Sequence, residues 1–380
     1  MKKSLHLFLA VMAVLVLVVS ACAPATPAAT EPPATQAPTE VPPTEAPATE
    51  APTEAPATEA ATAVPPTATP APPPVCDTLS DAPAAPAAGE LGSADNPIVI
   101  TFVPSGDTGK ITTAGTAIAD CLSQMTGMNF KMEVGTTFAA SIEAMGAEKA
   151  QVGFLNTFSA LLAGAKYGVT PALVAIRKYA TNDVDPDKAL EGELEPFYKG
   201  QFIANADSGI SSFADLKGKT FCFVDPNSTS GYIVPRIILA ANGINPDTDF
   251  AATQNAGSHN NVAIAVYKGD CDAGVTYINV LTDTSANLAA QYPDIADKVK
   301  IFAVTPPIPN DGMQIIKSLD PNLRKVVVEG MMAMANDPGG KAVLKSLYNY
   351  DSFQEVDATF YNDFLAVLQK AGVDPASLVK

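Results

Sequence analysis

The 380 residues contain no tryptophan and only two histidines, His6 and His259. Without Trp, the preferred wall of an aromatic cage for quaternary ammonium groups is missing, which disfavours a choline- or betaine-type binder. Catalytic signatures are equally scarce: there is no HExxH, no GxSxG elbow, no GxxxxGK[ST] loop and no cluster of metal ligands. A Ser-His-Asp hydrolase would have to rest on His259 alone. The chain is therefore expected to bind and not to catalyse, with no metal and no cofactor. Positive charge is also short, 23 Lys and Arg against 40 Asp and Glu, so no nucleic-acid partner is expected. An anionic ligand must then be held by local geometry and not by the overall field.

What is present begins with a leader. Lys2 and Lys3, an apolar run from Leu5 to Val19 and small residues before Cys22 make residues 1–22 a secretory signal, too short to span a bilayer comfortably. Val19-Ser20-Ala21-Cys22 resembles the lipobox of bacterial lipoproteins, which implies lipidation at Cys22 and an extracytoplasmic, membrane-anchored protein. Residues 23–94 follow as a tether, almost wholly Pro, Ala, Thr and Glu up to Pro74, with no residue able to build a core. At ~3.1 Å per residue in polyproline II, roughly fifty such residues reach on the order of 100 Å. Up to Pro74 the tether holds only six glutamates, so the acidic excess lies largely in what comes after it.

Four cysteines remain besides Cys22: Cys76, Cys121, Cys222 and Cys271. Their spacing matches no zinc motif. An exported protein permits disulfides, and Cys222 with Cys271 is the preferred pair because both flank strands expected to be neighbours in one sheet; buried free thiols are the alternative.

From Pro97 on, apolar strands alternate with amphipathic helices, the pattern of α/β winding with mostly parallel sheets. The first set runs IVITFV, a helix over 113–125, FKMEV, a helix over 139–148, VGFLN and a helix over 160–166. A second set follows Phe197: KGQFIA, a short helix over 212–216, KTFCFV, a helix ending near Asn242-Gly243, a helix over 261–268, and AGVTY. A strand over 299–304 leads into TPPIP, and helices are expected from 322 to 370. At about 285 residues this region exceeds one usual core and suits two lobes, the first over 95–180 plus 306–380 and the second over 197–303. Crossings near 178–197 and 301–309 would be the hinges, and a ligand cleft is expected between the lobes.

The most informative stretch is Asp225-Pro-Asn-Ser228-Thr229-Ser230-Gly231-Tyr232, between a strand and a helix. Backbone N–H groups at a helix start lack intrahelical partners and sit at the positive dipole end, so a hydroxyl-rich turn there either caps the helix or binds an oxyanion. Gly257-Ser258-His259-Asn260-Asn261 opens another helix, with His259 as a cap or as a further donor to the same oxyanion.

Taken in order, DLKGKTFCFVDPNSTSGYIVPR and GSHNNVAIAVYKGDCDAGVTY resemble the phosphate/phosphite/phosphonate-binding proteins of ATP-driven importers, over roughly Pro97 to Ile308. The resemblance implies a two-lobed periplasmic-binding-protein-like fold of type II. It implies that Ser228, Thr229, Ser230 and His259 hold a phosphorus oxyanion, and that Phe138 closes over it as the family's aromatic residue without its hydroxyl. Thr157 and Ser159 occupy another ligand-facing turn of the family. It also implies a membrane permease as partner and a monomeric binding protein. A sensory or adaptor lipoprotein using the same cleft is the alternative.

Overall fold

The computed structural model describes residues 71–178 and 194–378. The leader, Cys22, the tether up to residue 70 and most of the first crossing lie outside the described residues.

Two sheets form the frame. The first contains β1 (Ile98–Phe102), β2 (Phe130–Val134), β3 (Val152–Leu155), β4 (Thr170–Lys178), β13 (Gly312–Ile315) and β14 (Ser352–Glu355) in the order β14-β4-β13-β3-β1-β2, with β5 (Leu194–Glu195) pairing on β4. The second contains β7 (Gly200–Asn205), β8 (Thr220–Phe223), β9 (Ala252–Asn255), β10 (Ala273–Tyr277) and β11 (Val299–Val304) in the order β11-β7-β10-β8-β9. Each sheet is the floor of one lobe. The parallel parts are β2-β1-β3 and β10-β8-β9. Strands that arrive from the other lobe pair antiparallel, as β13 does with β3 and β4 and as β7 does with β10 and β11, so the expected mostly parallel sheets are mixed ones.

Between the sheets a two-stranded ribbon pairs β6 (Phe197–Tyr198) with β12 (Ile308–Pro309). The two crossings therefore run side by side and hydrogen-bond to each other. The second crossing begins after Val304, because 299–304 is all edge strand of the second sheet.

Helix limits follow their caps. Helix α1 (Thr108–Thr126) starts at the Asp107 side chain, which accepts the Gly109 and Lys110 N–H groups, and stops at Gly127 with φ 71°. Its Ile111, Ala114, Ile118, Leu122 and Met125 recur at helical spacing and are buried. Thr137 caps α2 (Phe138–Gly146) and Asn156 caps α3 (Thr157–Tyr167), which begins three residues before its expected start at Ala160. The second lobe carries α4 (Val234–Ala241) and α5 (His259–Lys268).

The C-terminal region differs from its expected run of helices. Helices α6 (Pro321–Asn336) and α7 (Pro338–Tyr348) pack on α1; a Cβ at Gly330 of α6 would lie 2.6 Å from Leu122 Cδ2. Then β14 adds an edge strand to the first sheet, and α8 (Asn362–Lys370) sets Phe364 and Leu368 against Phe158, Tyr198 and Ile308 at the crossings. SFQE is too short and too polar to announce a strand; its pairing with β4 supplies the backbone partners.

Both cysteine pairs are disulfides, Cys76–Cys121 and Cys222–Cys271. The second joins β8 to the approach of β10, and those strands are neighbours as expected. The first changes the account of the tether. From residue 71 the chain lies on the first lobe: Leu79 N–H donates to Met125 O at 2.9 Å, Asn129 N–H to Gly92 O at 2.7 Å, and the disulfide fastens the segment to α1. Cys76, Leu79 and Leu91 pack against the apolar core of the first lobe.

Candidate functional site

The S-T-S-G turn owes its shape to Pro235. A regular helix would have residue 235 donate to the Gly231 carbonyl, but proline has no N–H. The freed Gly231 carbonyl accepts Val224 N–H at 3.0 Å, and Ile233 N–H reaches back five residues to Ser228 O at 3.0 Å. Residues Thr229–Ile233 thus form a wide π-turn, capped by Ser228 Oγ, which accepts the Gly231 N–H at 3.2 Å. Widened turns of this kind are frequent at functional sites. Gly231 permits the closeness: a Cβ there would lie 2.3 Å from Val224 Cγ2 and 2.8 Å from Ser228 Oγ.

Facing the turn, His259 is the first residue of α5, capped by Ser258 Oγ, which accepts Asn261 N–H at 3.2 Å. Its Nδ1 accepts the backbone N–H of Tyr277 at 3.0 Å, which leaves the ring proton on Nε2. That Nε2 lies 3.5 Å from Ser228 Oγ. Burial, together with the Arg177 cation, pushes the His259 pKa down to about 3, so the ring is neutral at physiological pH. A protonated Nε2 cannot take the Ser228 proton. The pair presents two donors to the cavity and does not make an activated nucleophile.

Ser228, Ser230 and His259 line a cavity of about 40 Å³ between the lobes, with Phe138 of the first lobe on its wall. Phe138 is the first residue of α2, and in the second lobe burial raises the pKa of the Asp225 carboxyl. The sequence reading missed the remaining polar groups of the cavity. Arg177 at the end of β4 is 6% exposed and paired with Asp311, and Tyr198 of the ribbon donates its OH to Ser230 Oγ at 3.2 Å. Burial, with the nearby Asp311 charge, raises the Tyr198 pKa. Asn156 and Ser285 also line the cavity. Asn156 opens the turn that holds Thr157 and Ser159, whereas Arg177, Tyr198 and Ser285 sit in no motif and are brought together from both lobes and the crossing.

Three of the expected site residues stand in the seam between the lobes and not on the cavity wall. Thr229 Oγ1 donates to Asn156 Oδ1 at 2.7 Å and accepts Phe158 N–H at 2.8 Å. Ser159 Oγ donates to Asn227 O at 3.3 Å, and Thr157 Oγ1 to Pro309 O at 2.7 Å. Opposite them, His259 N–H donates to Ser105 O at 3.0 Å. The α3 start of the first lobe is thus hydrogen-bonded to the S-T-S-G turn of the second. The described residues contain no group of three or more His, Cys, Asp or Glu that could hold a metal, and no helix long and apolar enough to cross a membrane.

Solved structures share this architecture. A binding-protein component of an ABC phosphonate transporter from Pseudomonas aeruginosa superposes with a TM-score of 0.62 at 23% identity, covering 72% of this chain and 87% of that one. PhnD1 from Prochlorococcus marinus, in complex with methylphosphonate, gives 0.59 at 18% identity over 72% and 98%. At these identities the likeness speaks for the fold alone. In sequence, the chain is 27% identical over 194 residues to the "Phosphate-import protein PhnD" of Mycolicibacterium smegmatis, covering 49% of this chain and 57% of that protein. It is 30% identical over 185 residues to the "Phosphonates-binding periplasmic protein" of Escherichia coli, covering 48% and 53%. The chain thus spans about half the length of these curated relatives. The family model for "ABC transporter, phosphonate, periplasmic substrate-binding protein" matches residues 100–361, which include the whole cavity wall and, apart from the first two residues of β1, both sheets. With that match over most of the chain, the protein belongs to the phosphonate-type periplasmic substrate-binding proteins of ABC transporters.

Proposed function

We propose that this chain is the extracytoplasmic binding component of an ATP-driven importer, anchored through Cys22, which captures a phosphorus oxyanion and delivers it to a membrane permease. The observation that carries this reading is the convergence of the Ser228 and Ser230 hydroxyls and the His259 Nε2–H on one small cavity beside Arg177. Hydroxyl and imidazole donors match the acceptor oxygens of phosphate, phosphite or a simple phosphonate, and Arg177 brings the local cation that the acidic chain otherwise lacks. Size agrees. With about 10–15 Å³ needed per water, a cavity of about 40 Å³ holds roughly three waters, comparable to a compact tetrahedral oxyanion. The relatives' names, one for phosphate and one for phosphonates, fall in the same chemical class.

Capture works by lobe closure about the paired crossings β6 and β12. Thr229, Ser159 and His259 form their bonds across the seam on closure and break them on release. The protein acts as a monomer whose closed form engages the permease. It is not an enzyme, since the His259 tautomer leaves Ser228 without a base.

A thermal-shift panel of phosphate, phosphite, methylphosphonate and sulfate tests the reading. A bound ligand at about a hundredfold over its Kd stabilises the fold by about 2.7 kcal/mol. Absence of a shift with every phosphorus compound sinks the proposal.

A further inference from the structure

Among the described residues, three charged side chains line the cavity: Asp107, Asp311 and Arg177. Asp107 is committed to α1, its Oδ1 accepting the Gly109 and Lys110 N–H groups at 2.9 and 3.1 Å. Asp311 is the carboxylate that a cationic ligand group entering the cavity would need, because a buried ammonium requires a counter-charge. It is already engaged. One oxygen pairs with the Arg177 guanidinium and the other accepts the Tyr350 OH at 3.3 Å. Arg177 in turn is fixed from below, its guanidinium 4.6 Å from the Tyr350 ring centre and 5.9 Å from that of Tyr198. The protein therefore holds a cation of its own against the acidic group of the cavity.

We propose that Arg177 is a specificity-determining residue: by occupying Asp311 from within, it restricts the ligand to phosphorus oxyanions whose remaining substituent is small and uncharged, and rejects aminoalkyl phosphonates. The inference rests on the oxyanion reading above. An ammonium placed near Asp311 meets the guanidinium as a like charge and finds the carboxylate taken. A hydrogen, hydroxyl or methyl substituent meets no such conflict, and Val103, Phe138 and Leu347 give it an apolar wall. The small cavity works in the same direction, since 2-aminoethylphosphonate is larger by one carbon and one nitrogen than the methylphosphonate that already fills it.

Calorimetric titration of the full chain with phosphate, methylphosphonate and 2-aminoethylphosphonate tests this. The natural protein binds methylphosphonate at least about tenfold more tightly than 2-aminoethylphosphonate. In Arg177→Gln, methylphosphonate binding weakens with the loss of the local cation, while the ratio of the two affinities moves at least about tenfold toward the amine. Adding Asp311→Asn cancels that move, because the released carboxylate is what receives the ammonium. Asp311→Asn alone leaves the buried Arg177 guanidinium without its counter-charge, which an incoming oxyanion then supplies, so the folded variant binds methylphosphonate more tightly and still rejects the amine. Equal or tighter binding of 2-aminoethylphosphonate by the natural protein, or an unchanged ratio in folded Arg177→Gln, overturns the inference. A natural protein that binds none of the three overturns the oxyanion reading instead.

Discussion

His259 offers a test of how dry the cavity is. Its pKa stands at about 3, against an ordinary value of 6.5, because burial penalises the imidazolium and Arg177 adds repulsion. Between those two values the unfolded chain binds a proton that the folded chain refuses, so folding stability is full above about pH 6.5 and is lost progressively as the pH falls toward 3. Each pH unit in that window costs about 1.4 kcal/mol, hence about 2 kcal/mol at pH 5. Carboxylates add their own dependence, and His259→Gln isolates the histidine's share. Denaturant unfolding of both proteins from pH 8 to pH 4 should show the natural protein losing about 2 kcal/mol relative to the variant by pH 5 and about 3.4 kcal/mol by pH 4. A chain that starts after residue 22 carries His259 as its single histidine, and the imidazole proton resonances then report the titration without assignment ambiguity. A midpoint near 6.5, or a stability difference independent of pH, refutes the buried, neutral, Nε2-protonated ring.

Other predictions test the turn and the strap. Removing both cavity hydroxyls with Ser228→Ala and Ser230→Ala deletes two bonds to a charged ligand at about 1.5–3 kcal/mol each, so oxyanion affinity measured by calorimetry falls at least a hundredfold, while the lost cap costs only about 1 kcal/mol of stability. Gly231→Ala places a methyl 2.3 Å from Val224 Cγ2, and melting should reveal an overpacking cost of about 1–3 kcal/mol together with weakened binding; an unchanged affinity contradicts the role of the tight turn. Cys76→Ser opens a disulfide of sequence separation 45, worth about 4 kcal/mol in the chain-entropy account, and proteolysis should then cut residues 71–94 first while ligand binding persists.

Several residues of the cavity wall are legible in the sequence, for local reasons. Ser228, Ser230 and His259 sit in a strand–turn–helix context that a short window of sequence displays, and Pro235 and Gly231 announce an irregular helix start by their chemistry alone. Phe138 was legible through the family pattern of its βα turn. Arg177 and Asp311 were not. They come from sequence positions 134 residues apart, one closing a strand and the other following a crossing, and nothing near either signals a ligand. Thr229 shows the opposite limit: its place in the motif is plain, yet its hydroxyl is spent on Asn156 and Phe158, a use visible only once the lobes meet.

The fold divides the same way. Periodicity and caps in the sequence determined the alternating α/β character, the two sets of elements and the turn that opens α4, because hydrophobic spacing and missing N–H groups act within a few residues. Tertiary structure alone decided that β13 and β14 enter the first sheet antiparallel, that residues 71–94 leave the tether to be stapled onto α1, and that an arginine guards the carboxylate in the cavity. Those outcomes depend on which distant surfaces become neighbours, and burial of a pair such as Arg177 with Asp311 acquires its meaning only when the chain has closed around it.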